Sequence, residues 1–223
     1  MALSTSWCIP LDKLKLTLRE IALFGILGAL TFGAKVAMSL LPNIEPVSLL
    51  VMLYAVVFGR KCLYPIYLYV LLEILFYGIQ LWNINYLYVW LILALGAWLL
   101  RKSEEPLAFA ILSGAFGLLF GALCAPVYLF SGGPAFMVSW WISGIPFDAM
   151  HCAGNFVMAL VLFKPLRRLT EKLYKDINGL INAFFARRAA LSKVPPMPTP
   201  TTIGGHGFGP AASIVSKMKS LIL

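Results

Sequence analysis

Charge is scarce in this chain. Only 12% of its 223 residues are charged, with nine Asp and Glu against eighteen Lys and Arg, while 61% are hydrophobic and the mean hydropathy is +0.87. That balance excludes an ordinary soluble domain, because the apolar residues fall in runs approaching the ~20 residues of a bilayer crossing. Cysteine is sparse as well. Cys8, Cys62, Cys124 and Cys152 form no CxxC pair and only His151 lies near one of them, which argues against a disulfide framework or a metal site. The sequence has no HExxH, no GxxxxGK[ST] and, at Ser113-Gly114 or Ser143-Gly144, no nucleophile elbow. Zincin chemistry and P-loop ATP hydrolysis are thereby excluded.

The few positive charges are ordered. Lys13, Lys15 and Arg19 precede the first apolar run, Arg60 and Lys61 follow the second, Arg101 and Lys102 the fourth, and Lys164, Arg167 and Arg168 the last. Segments 41–46, 80–85 and 131–134 hold no Lys or Arg. This alternation is the positive-inside pattern, so the +9 net charge marks topology and not nucleic-acid binding. No small-residue cleavage site follows the first run promptly, which makes it a membrane helix and not a secretory signal.

The expected fold is an all-α integral membrane protein: a six-transmembrane-helix bundle with both termini cytoplasmic. The spans fall at about 20–41, 46–59, 62–80, 86–100, 107–130 and a last one ending at Phe163. The last starts near Ala135 or at Pro146. Pro146 is preferred, since its missing N–H suits a first helical turn, and residues 131–145 then form an outer hairpin. Residues 1–168 make the membrane domain. Leu169, Leu173, Ile177, Leu180, Ile181 and Phe184 recur at helical spacing among basic residues, giving a C-terminal amphipathic helix over 169–193 on the inner leaflet or a partner. The Pro/Gly-rich segment 194–223, with His206, reads as disordered.

Two ridges of small residues stand out: Gly25, Ala29, Gly33 and Ala37 in the first span, and Ser113, Gly117, Gly121 and Ala125 in the fifth. Such ridges let helix backbones approach closely, within the chain or across to a partner. Polar and aromatic groups collect toward the outer side. They comprise Asn43 and Glu45; Glu73 with Tyr69, Tyr77 and Gln80 on one face; Trp82, Asn83, Asn85, Tyr86 and Tyr88; and Asp148, His151 and Asn155 at i, i+3, i+7. Lys35 lies where it can pair with Glu73 or Asp148. Ion pairing and interfacial anchoring account for part of this set. The remainder describes a concave site for a small ring-bearing ligand. Asp148 orienting His151 would suit an intramembrane enzyme, but no nucleophile or oxyanion site accompanies them.

The stretches "NIEPVSLLVMLYAVVFGRK", "SGAFGLLFGALCAP" and "GIPFDAMHCAGNFVMALVLFKPL", in that order behind the first-span ridge, resemble the S components of energy-coupling factor (ECF) vitamin transporters. The likeness covers about residues 18–168. It implies a multi-pass protein of the bacterial plasma membrane that binds a vitamin or related micronutrient and has no enzymatic activity or cofactor of its own. It implies docking through Ala29, Gly33 and Ala37 onto an ECF transmembrane coupling subunit that carries two ATPase subunits. Ligand would lie near the outer face, at positions matching Asn43, Glu45, the Trp82–Tyr88 stretch, Asp148, His151 and Asn155. Delivery would follow by toppling of the subunit in the membrane. An intramembrane enzyme and a structural membrane scaffold are the alternatives.

Overall fold

The computed structural model describes residues 16–39 and 46–191; Asn43, Glu45, the first fifteen residues and the tail from 192 onward lie outside the described residues. All regular structure among them is helical: α1 (Leu18–Ala37), α2 (Val47–Phe58), a 3-10 turn (Gly59–Cys62), α3 (Leu63–Tyr77), α4 (Leu81–Tyr86), α5 (Val89–Leu99) and α6 (Pro106–Leu191). Four stretches are long and apolar enough to cross a membrane: Leu18–Ala37, Val47–Tyr77, Leu81–Leu99 and Pro106–Ile177. Large apolar side chains, among them Ile26, Leu75, Phe76, Leu99 and Val161, are exposed along them, as a lipid-facing surface requires.

Local chemistry sets the helix ends. Thr17 and Glu20 form a reciprocal capping box at the start of α1, with Thr17 N–H donating to Glu20 Oε2 at 3.0 Å. Lys61, from the 3-10 turn, pairs with the same Glu20. Gly59 (φ 58°) and Gly78 (φ 79°) terminate α2 and α3 in backbone conformations that glycine adopts without strain.

Direction follows from the contacts. Phe24 of α1 meets Phe58 at 5.3 Å, and Tyr54 Oη donates to Leu27 O, so α2 runs against α1. Phe24 also stacks with Tyr64, and Lys35 pairs with Glu73, so α3 runs with α1. The chain therefore reverses through Gly59. It reverses again after Gly78, since Tyr77 meets Trp82 while Tyr69, earlier in α3, meets Trp90 of α5.

Helix α6 is two limbs joined at Gly133, whose φ of 76° and ψ of −177° belong to a region essentially reserved for glycine. Phe109 stacks on Phe163 at 3.9 Å, Gly121 N–H donates to Asp148, and Tyr128 stacks on Trp140 at 4.0 Å. The limbs are thus antiparallel along their length.

This corrects the sequence reading at two places. The last helix begins at Pro134 and not at Pro146, and residues 134–145 are helical in place of an outer hairpin. A proline following a reversal fits a first turn; Pro146 sits on an exposed face inside the second limb, where the helix continues past the one hydrogen bond it removes. The loop expected at 80–85 is instead the short helix α4, capped by Asn83 Oδ1, which accepts from the Gln80 N–H at 2.5 Å.

Contacts divide the chain into units 1–176 and 177–223. Of the second, residues 177–191 are described and helical, with Ile177 and Phe184 exposed; the side chains of Leu180 and Ile181 lie outside the description.

Candidate functional site

Two polar clusters lie among the apolar helices. The first is built on Lys35, which α1 presents to α3. Its ammonium is 2.9 Å from Glu73 Oε2, and Glu73 is fully buried. The rings of Trp82 and Tyr86, each with its centroid 5.4 Å away, and of Tyr77 at 5.9 Å surround the same ammonium, and Tyr86 Oη accepts from it at 3.5 Å. Gly78 makes this possible. It ends α3 so that α4 folds back and brings Trp82 against Tyr77. Four of the expected ligand residues, Glu73, Tyr77, Trp82 and Tyr86, therefore converge on a lysine of the chain itself.

The second cluster is a cavity of about 90 Å³. Tyr86, Trp90 and Phe120 supply its aromatic wall, Ser48, His151 and Asn155 its polar wall, and Gly117 completes it. Asn155 Nδ2 donates to Ser48 Oγ at 3.2 Å, tying the second limb of α6 to α2. Trp90 Nε1 and His151 Nδ1 are buried and have no hydrogen-bond partner among the described residues. Ligand pockets for whole small molecules run to about 300–1,000 Å³, so this cavity is too small to hold such a molecule whole.

The remaining expected residues are used elsewhere. Gln80 and Asn83 cap α4, and the Gln80 side chain is exposed. Asn85 is buried with its Oδ1 3.1 Å from the Tyr88 hydroxyl, which lies 2.7 Å from the Leu123 carbonyl. Asp148 is buried, and its Oδ1 accepts from Gly121 N–H at 3.0 Å. No hydrogen bond joins it to His151 among the described residues, although the two are one helical turn apart. Asp148 is not a wall of the cavity. No three His, Cys, Asp or Glu side chains come together as a metal site among the described residues.

Sequence reasoning missed Ser48, Trp90, Phe120 and Gly117. Trp90 did leave a signal: Trp82, Tyr86 and Trp90 recur every four residues, and their rings meet edge to face at 5.0 and 5.3 Å. Phe120 left none that separates it from an ordinary apolar residue.

The two small-residue ridges have different fates. A Cβ on Gly117 would meet the His151 and Cys152 backbone at 2.7–2.8 Å, and one on Gly121 would strike the Asp148 carboxylate. The second ridge is consumed by the hairpin. In α1, a Cβ on Gly25 or Gly33 would meet nothing within 4 Å, and Ala29 and Ala37 are exposed. The face of α1 that contacts α3 runs through Gly28, where a Cβ would lie 2.9 Å from Leu68. No protein-family model, no curated protein and no solved structure matches this chain.

Proposed function

We propose that this chain is a membrane-embedded binding subunit of an ECF-type importer for a vitamin or related micronutrient. The observation that carries the reading is the cavity: a pocket with hydrogen-bonding walls, formed by helices whose other faces are apolar. Polar groups at membrane depth are costly and are kept where they pair or serve a ligand. Trp90 and His151 hold polar atoms that pairing within the described chain does not explain.

In this proposal the reversals at Gly59 and Gly133 divide the apolar stretches into six crossings, with both termini cytoplasmic and the Gly133 turn outside. Ligand enters from the outer side, the outward ridge of α1 docks on the coupling subunit, and the bundle topples to release its load inward. The chain performs no chemistry; ATP is hydrolysed by the partner subunits. The free ridge of α1 supports docking, since close helix association uses such small residues.

Two measurements on the detergent-purified chain test this. Native mass spectrometry of protein from cells grown in rich medium should detect a retained small molecule, lost in Asn155→Ala. Affinity purification of the full chain from its native membrane should bring down a coupling subunit and two ATPases. A chain that stays empty across a vitamin panel and brings down no ATPase overturns the proposal, and stable partners without ligand favour a scaffold.

A further inference from the structure

We infer that the cavity between α2, α5 and the two limbs of α6 admits an uncharged planar group bearing both a hydrogen-bond acceptor and an N–H donor, as in a carboxamide or lactam, and rejects charged rings of the same shape. The inference rests on the binding-subunit reading and narrows the ligand class of that site.

Charge decides first. None of the residues lining the cavity is Lys, Arg, Asp or Glu. Lys35 is held by Glu73 and three aromatic rings, and Asp148 by the Gly121 N–H. Lys35 lies behind Tyr86 and Asp148 one helical turn from His151, but both are outside the lining, so an ionised group entering these walls would lose its hydration without a direct opposite charge, which is strongly unfavourable in a membrane interior.

Shape and polarity decide the rest. Trp90 meets Tyr86 at 5.3 Å and Phe120 at 6.1 Å, so the wall offers ring surface to a flat group. Trp90 is 3% exposed, and its indole N–H is a donor only, with no acceptor among the described residues. Its ligand must accept. Across the cavity Asn155 already donates to Ser48, which leaves its carbonyl oxygen to receive an N–H from the ligand. An amide edge satisfies both at once, whereas a purely apolar ring would leave the indole N–H unsatisfied, a cost that hydrogen-bonding sites use to discriminate.

The test uses three rings of one shape and different charge: benzamide, benzoate and benzamidinium, each added to the detergent-purified full chain while its unfolding midpoint is followed. Benzamide should raise the midpoint and the two ions should not. In Trp90→Phe the affinity for benzamide should fall at least tenfold. Asn155→Asp, which places a carboxylate on the same wall, should transfer the preference to benzamidinium. A wild-type preference for either ion, no shift with any of the three, or a Trp90→Phe chain that responds like wild type overturns the inference. A chain that brings down its ATPases yet prefers an ion sinks the inference alone. One that binds benzamide but brings down no partner leaves the inference standing and sinks the importer.

Discussion

Glu73 is fully buried on α3, and Lys35 reaches it from α1 across 2.9 Å with the rings of Tyr77, Trp82 and Tyr86 around the ammonium. Two opposite charges so placed stabilise little in sum, because each gave up its water, but removing one strands the other. Lys35→Met should therefore destabilise the chain by about 3–5 kcal/mol. The double variant Lys35→Met, Glu73→Met should recover most of that loss, and unfolding of the four proteins in detergent measures the coupling. Additive losses would mean that the two side chains do not depend on one another. The same residue-scale logic separates Asp148 from the cavity: its carboxylate braces the α6 hairpin through Gly121, so Asp148→Ala, which removes the acceptor, should lower stability more than ligand affinity.

Among the elements, the α6 hairpin and the ridge of α1 make opposite uses of small residues. Gly117 lies against the His151–Cys152 backbone of the second limb, and a methyl group there would push into it. Gly117→Ala should cost about 1–3 kcal/mol, as overpacking does in a filled core. Gly33 has open space before it, so Gly33→Ala should leave the midpoint unchanged or raise it by up to about 1 kcal/mol through helix propensity. Gly33→Leu carries the functional half of the comparison: the purified chain should be as stable as wild type, yet fail to bring down the coupling subunit. Equal recovery of partners by Gly33→Leu and wild type would remove α1 from the docking surface.

For the whole molecule, the ordering of basic residues and the two glycine reversals make one joint statement about orientation. Arg167 reaches across to the carbonyls of Ser103 and Arg101, gathering basic side chains at the end of the bundle away from Gly133. The positive-inside rule predicts that this end faces the cytoplasm. A cysteine at Ser131 should then react with a membrane-impermeant maleimide in intact cells, and one at Ser103 only after the cells are opened. The reverse pattern would invert the bundle, and labelling of both from outside would break the six-crossing scheme. The exposed apolar side chains of the candidate spans, among them Leu18, Phe76 and Val161, suit a membrane-spanning protein in either case.

The helical class, the apolar stretches and the breaks near 59 and 78 were legible in the sequence, because hydropathy and local turn chemistry act over a few residues and need no distant partner. That Lys35 would pair with one of two carboxylates was legible because a charge at membrane depth needs an opposite one; the α1 cap at Thr17 was not read from the sequence. Pro146 was misread because a proline beginning a helix and one tolerated within a helix look alike along the chain. Only packing against the first limb distinguishes them. Tertiary structure alone decided that Glu73 and not Asp148 takes Lys35, that one small-residue ridge is buried while the other stays open, and that Ser48, Trp90, Phe120 and Asn155 wall one cavity. Each of those outcomes depends on residues tens of positions apart meeting across helix faces, and no local periodicity records which faces meet.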